Sequence, residues 1–470
     1  MIISILPLLL LLQLACSLGI DSEAVTDFSN HKLDSLCDIG CKCPEEEQAM
    51  EFLDCSRLGI NKLPDMLQFP SSVTKISFRA NRITSLPVST FSRTDSIEEM
   101  DLSLNKIARI DNFTFTPFSS LTQLQLSHNM LSEVDSELLQ GLSNLLVLEL
   151  GHNKIQKLSS TSFRNIPNIQ ELRLQYNPIF ELPEQLLQFL PRLQKLDLQE
   201  TGLVKLPSNI FLSTPRLQWL SLSNNAFETV PQSALSKAPL LERLDLSGND
   251  FRILVEGAFQ GMPNITILFL NSLPRLLSIE KNSLAGLDKL KIFGCSYNPK
   301  LKFIHEDAFG TANSTAFGRK TPPREQLHLR QNALRTLQAP LEKESLPSLS
   351  FVDLTDNPWH CDCNLDWMAF LREEHQKNVI CQSPAYLKGR SFDTIALAEL
   401  KCEDKLNNLV FITVISSMVA FAVVMIGLSA VVFSRSRVGL FVRAKKQFSY
   451  AKVIPGTETV DLEWDPSAET

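Results

Sequence analysis

The sequence predicts an α/β solenoid with parallel β-strands on a concave face and an irregular convex side, followed by one transmembrane helix. Three observations carry that expectation. The 470 residues include 77 leucines but only 17 glycines and 4 tyrosines. The pattern Leu-x-x-Leu-x-Leu-x-x-Asn, with other apolar residues allowed for leucine, starts at Val73, Ile97, Leu121, Leu145, Ile169, Leu193, Leu217, Leu241 and Ile265, every interval being 24 residues. Residues 409–433 contain no charged side chain. A fixed period of this length marks coils that each bury their apolar face only against their neighbours.

Residues 1–19 read as a secretory signal. An uncharged, leucine-rich run over 5–14 precedes small residues at Ala15-Cys16-Ser17 and Ser17-Leu18-Gly19, although the first residues lack Lys or Arg. A lead of 20–36 follows. Residues 37–72 hold Cys37, Cys41, Cys43 and Cys55, and 357–404 hold Cys361, Cys363, Cys381 and Cys402. These clusters lie where a solenoid needs lids, since its terminal coils otherwise present apolar core to water. A secretory context favours disulfides over zinc, and four cysteines allow three pairings in each cluster.

Between the lids, 73–356 accommodates about twelve repeats. Three further starts at Leu290, Arg324 and Leu349 follow at spacings of 25, 34 and 25. In each copy the alternate residues of a short strand point into the core, and successive strands stack about 4.8 Å apart. The closing asparagines, Asn81, Asn105, Asn129, Asn153, Asn177, Asn225, Asn249, Asn298, Asn332 and Asn357, form an expected inward ladder that serves backbone groups at the turn. Thr201 replaces one rung and Leu273 another. Because leucine cannot hydrogen-bond, a local kink or altered twist is expected there. Cys295 occupies a core position and is expected to be a buried free thiol.

The uncharged run 409–433 makes a helix of roughly 37 Å against a hydrocarbon core of about 30 Å. Basic residues Arg435, Arg437, Arg443, Lys445 and Lys446 follow it, which places 434–470 in the cytoplasm. The expected location is the plasma membrane, single-pass type I, with the bulk of the chain extracellular. A tail of 37 residues is expected to hold no independent enzymatic or signalling domain. Its segment Tyr450-Ala451-Lys452-Val453 resembles the tyrosine-based sorting signal read by clathrin adaptors, an expectation resting on Tyr450 and Val453.

The repeats and their flanks resemble the extracellular leucine-rich repeat transmembrane family, over about residues 36–404. The Asn357-Pro358-Trp359-x-Cys361-x-Cys363 opening is similar to the cysteine-rich caps of Slit, the Nogo receptor and Toll ectodomains. The resemblance implies disulfides joining Cys37 to Cys43, Cys41 to Cys55, Cys361 to Cys381 and Cys363 to Cys402.

Chemistry is sparse. A net charge of −7 opposes binding driven by nucleic-acid phosphates. No nucleophile elbow, P-loop or HExxH motif occurs, so neither catalysis nor a cofactor is expected. His128 and His152, at equivalent positions, are expected about 5 Å apart, a spacing for pH sensing or a shared metal, but Ser-His-Asn is also a common strand end. The acidic column Asp101, Glu149, Asp197, Asp245 and Asp353 needs no ligand, and no metal site is expected. Sequons at Asn112, Asn264 and Asn313 are expected glycosylation sites.

Reading the outward strand positions in register leaves a mostly polar face. The exceptions are Trp219, Ile267, Phe269, Ile292 and Tyr297, expected to form one exposed apolar patch and to bind a protein partner. The expected function is a cell-surface protein-binding receptor or adhesion molecule. Rival readings are a Toll-like pattern-recognition or decoy receptor without a signalling domain, and a growth-factor carrier. An accessible Cys295 would favour the carrier.

Overall fold

The computed structural model describes residues 36–43, 51–310, 323–338, 346, 349–401 and 413–429. The chain divides into two compact units, Met1–Lys401 and Cys402–Thr470. In the first, thirteen short strands form one parallel sheet in chain order. The first, Phe52–Asp54, belongs to the amino-terminal cap and pairs with Lys75–Ser77. The other twelve each begin two residues after a motif start, from Lys75 to Phe351. Their register holds without a shift; Gln123, Val147 and Glu171, for example, lie side by side.

Alternation explains the core. The middle residue of each strand is buried, as with Leu124, Leu148, Leu172 and Leu196, while the flanking two face outward. Phe115, Phe118, Phe163, Phe211 and Phe259 fill the interior behind them. The opposite flank is more regular than the expected irregular side. Two-residue parallel strands pair Ser85–Leu86 with Arg109–Ile110, Glu133–Val134 with Lys157–Leu158, and Ile253–Leu254 through Ser278–Ile279 to Phe303–Ile304.

The asparagine ladder is a repeated hydrogen-bond unit. Asn105 Oδ1 accepts from Ile83 N (3.1 Å), and its Nδ2 donates to Phe78 O (2.9 Å) and Leu102 O (3.0 Å). The same triple recurs at Asn129 and Asn153. Thr201 keeps part of it, its Oγ1 lying 2.9 Å from Leu198 O and 3.0 Å from Asn225 Oδ1. At Leu273 the strands on either side stay in register, so no break in pairing accompanies the lost rung. Asn298 compensates by accepting from Leu273 N (2.7 Å) and donating to Leu270 O (3.1 Å).

The residue before each rung adopts positive φ, from Ala80 (58°) through His128 (56°) and Tyr176 (57°) to Asp356 (58°). This left-handed turn follows each strand of the concave sheet three residues after its last residue, at a cost of about 1 kcal/mol for a non-glycine residue.

Disulfides Cys37–Cys43 and Cys41–Cys55 close the amino-terminal cap. Lys42 bridges to the outer edge of the first strand and its ammonium lies 2.6 Å from Asp54. That contact and the Ser56 hydrogen bond hold the Asp54 carboxyl down at about 2. At the other end Cys361 pairs with Cys381, and Trp359 and Trp367 are fully buried over the last repeats. Cys363 is also disulfide-bonded, while Cys402 lies outside the described residues.

In the second unit, 413–429 are helical, uncharged and exposed throughout. Among the described residues no helix is long and apolar enough to cross a membrane. The flanks of the expected transmembrane segment, 409–412 and 430–433, lie outside them, as do the signal, Tyr450 and Val453.

Candidate functional site

Because outward strand residues stand in columns, the concave face is set by register. One column runs Trp219, Arg243, Ile267, Ile292, Gln326, Phe351. Ile267 and Ile292 are direct neighbours. Trp219 is separated from them by Arg243, so the five residues read from sequence are not one continuous patch. The Arg243 guanidinium lies over the Phe269 ring, 5.4 Å from its centroid, and masks part of the apolar surface. Trp219, Ile267, Phe269 and Ile292 are half-buried, and Tyr297 is 49% exposed.

Next to Phe269 the sheet carries Gly294, which gives the neighbouring aromatic room. A Cβ built there would come 2.6 Å from Phe269 Cδ1. The result is an open depression of about 400 Å³ on the concave face, bordered by Phe269, Gly294, Tyr297, His328, Arg330 and Asp353. Of these, only Phe269 and Tyr297 were singled out from sequence. The available signal was Gly294, the one glycine in a column that otherwise carries side chains. Beyond it Phe351 is 43% exposed, its ring 5.0 Å from that of His328.

Elsewhere part of the face is ion-paired. Arg173 pairs with Glu171 and, at 2.5 Å, with Glu149, while Lys195 lies 3.5 Å from Glu171. Burial raises the carboxyls of Glu149 and Asp197 despite the nearby Arg173. Within the acidic column Glu149 is therefore ion-paired, whereas Asp197 and Asp245 accept backbone hydrogen bonds from Gln199 and Ser247.

His128 and His152 stack more closely than expected. Their centroids are 4.0 Å apart at 9°, and Tyr176 extends the stack at 4.1 Å. Parallel rings direct their nitrogen lone pairs side by side and not toward a common point, which disfavours a shared metal. Among the described residues no group of three or more His, Cys, Asp or Glu could hold one. Burial first, then the His128 charge, lowers the His152 pKa.

Cys295 is fully buried, and Asn298 Nδ2 donates to its Sγ at 3.1 Å. Burial pushes the thiol up to about 12. Below that pH it stays a thiol, the less nucleophilic form, which removes the accessible cysteine that would favour a covalent carrier. In native protein, thiol reagents are expected to label Cys295 at least about 100-fold more slowly than in denatured protein, by mass spectrometry with the disulfides intact. Equal rates would disprove its burial.

Among the sequons, Asn112 is exposed, whereas Asn264 Nδ2 donates to Pro239 O at 2.7 Å. Asn144 and Asn168, at equivalent repeat positions, make the same bond to Ser119 O and Ser143 O. Asn264 thus has a structural role independent of any glycan. Asn313 lies outside the described residues.

A leucine-rich repeat family model matches residues 71–131, 119–179, 191–251 and 217–274. A phospholipase A2 inhibitor of Gloydius brevicaudus siniticus is 33% identical over 99 residues, 20% of this chain and 29% of that protein. A peroxidasin homolog of Caenorhabditis elegans is 34% identical over 61 residues, 13% of this chain and 5% of that protein. The chain thus spans less than a third of the length of these relatives. Among solved structures, the leucine-rich repeat domain of APL1B has a TM-score of 0.49 at 20% identity, covering 73% of this chain and 90% of that one. A TLR13–ssRNA13 complex gives 0.49 at 21% identity, covering 67% and 52%. The Drosophila Toll–Spatzle complex gives 0.45 at 20% identity, covering 72% and 60%. The family model thus identifies leucine-rich repeats over residues 71–179 and 191–274, within the stretch that folds into 24-residue coils with an asparagine ladder.

Proposed function

We propose that this protein is a single-pass type I receptor or adhesion molecule of the plasma membrane, which binds another extracellular or cell-surface protein on its concave face. The observation that carries the binding role is the aromatic and aliphatic surface of Ile267, Ile292, Phe269 and Tyr297, held on a rigid, in-register sheet. Anchors of this kind, rimmed by charge, dominate the energetics of protein recognition. The membrane assignment rests on the signal-like amino terminus and on the uncharged stretch 409–433 with its basic flank. The exposed valines, methionines and isoleucines of 413–429 favour an apolar surrounding over water.

The test displays the full-length chain on cells with an epitope tag within 20–36. An impermeant antibody is expected to reach the tag. Partners are then crosslinked at the surface and their affinities measured. Phe269→Ala combined with Ile292→Ala is expected to weaken the captured partner about 100-fold. Unchanged affinity with native thermal unfolding would rule out this surface, and an inaccessible tag would rule out the topology.

A further inference from the structure

The depression beside Gly294 contains more than an apolar wall. Its titratable lining residues are Tyr297, His328, Arg330 and Asp353. Arg330 is already neutralised, since its Nε and Nη2 lie 3.0 and 2.9 Å from Asp356 Oδ2. His328 Nε2 lies 3.1 Å from Gln326 Oε1, and burial lowers its pKa against the opposing pull of Asp353, so the ring is uncharged near neutral pH. Asp353 uses one oxygen: Oδ1 accepts from Thr355 N (3.1 Å) and Thr355 Oγ1 (2.7 Å). Among the described residues no cation lies within ion-pairing distance of its carboxylate. The site therefore combines one uncompensated anion with the aromatic rings of Phe269 and Tyr297. Phe269 already attracts a cation from within the chain, Arg243.

We infer that this depression receives a basic side chain, arginine or lysine, projecting from the protein partner, with Asp353 as its counter-ion and Phe269 and Tyr297 as its walls. The inference rests on the concave-face reading above and specifies the chemistry of the partner's anchor. A volume of about 400 Å³ lies at the small end of ligand sites, suited to one inserted side chain. Placing a cation beside an aromatic face and a carboxylate combines two attractions that a neutral side chain of the same shape lacks. Gly294 keeps the entrance open, because any larger residue there drives into Phe269.

The experiment titrates acetyl-Gly-Arg-Gly-amide and its citrulline counterpart into the full-length protein. Binding is followed by saturation-transfer NMR and calorimetry. Saturable millimolar binding of the arginine peptide is expected, at least about tenfold tighter than the citrulline peptide and weakened by added salt. Asp353→Asn, which retains an acceptor for Thr355, is expected to abolish that preference. Gly294→Leu is expected to block both peptides. Equal affinity for the two peptides, no binding to the wild type up to about 10 mM, or an Asp353→Asn variant that still prefers arginine would overturn the inference. Partner capture that depends on Phe269 but is indifferent to Asp353→Asn would defeat the basic anchor while leaving the concave-face reading intact.

Discussion

Replacing Asn153 with leucine is expected to destabilise the repeats around it by about 3 kcal/mol, although the change keeps the side chain close in size. Asn153 Oδ1 is the acceptor for Leu131 N (3.0 Å), and its Nδ2 serves Leu126 O (2.9 Å) and Leu150 O (3.0 Å). The two carbonyls keep a second donor, since Asn129 Nδ2 also reaches Leu126 O and Asn177 Nδ2 reaches Leu150 O. The Leu131 amide does not. Its burial without a partner contributes about 1 to 3 kcal/mol, and the lost carbonyl contacts, including the longer one to Gly151 O (3.3 Å), add about 1 kcal/mol between them. Asn153→Thr is expected to fall between wild type and Asn153→Leu, following the partial rung at Thr201. Urea unfolding with hydrogen exchange at Leu131 checks both. Equal midpoints for all three proteins would show that the ladder specifies shape without adding stability.

The chain itself carries a natural version of that substitution. At Leu273 the ladder is interrupted, and the Phe251 amide that this rung would serve has no hydrogen bond among the described residues. The sheet nevertheless keeps its register from Phe269 to Gly294. Neighbour packing outweighs one missing polar contact, because Leu268, Leu270 and Leu273 are all fully buried. The expected kink consequently does not appear as a break in strand pairing. The next rung, Asn298, reaches across the gap and bonds to Leu273 N, Leu270 O and Cys295 Sγ.

Much of the fold was legible because it depends on local periodicity. Val73, Ile265, Leu290, Arg324 and Leu349 each lie two residues before a strand, including where the spacing drifts. The strand Phe52–Asp54 was not legible, for it lacks the motif and joins the sheet only because the cap presents Leu53 to the core. The left-handed residue before each rung was also hidden. Ala80, His128 and Glu200 share a backbone conformation but no side-chain chemistry. The candidate site was half readable. Columns placed Phe269 and Ile292 on the correct face, but Arg243 settling on Phe269 depends on side-chain direction between adjacent strands. The same holds for Asp353, an unremarkable member of an acidic column until the pairing of Arg330 with Asp356 leaves it as the one unpaired carboxylate lining the Gly294 depression.

Trp359→Ala is expected to cost about 3 to 5 kcal/mol, concentrated at the carboxyl-terminal end. The indole is fully buried and its Nε1 donates to Leu354 O at 2.9 Å. Its backbone also pairs with the segment beginning at Cys381, which links the last repeat to the cap. Truncation leaves a cavity against the end of the sheet, where no further coil can repack it. In a solenoid each coil depends on its neighbours, so loss is expected to spread inward from the cap and leave distant repeats intact. Hydrogen exchange is therefore expected to accelerate over 326–360 and remain native over 123–173. Trp359→Phe is expected to lose much less, since Asn357 Nδ2 also reaches Leu354 O at 3.2 Å. The functional consequence follows from position: His328 and Asp353 lie on the two strands nearest the cap. A frayed cap is thus expected to weaken ligand binding at the Gly294 depression without touching its lining. Uniform acceleration across all repeats would instead show that the solenoid unfolds as a single cooperative block.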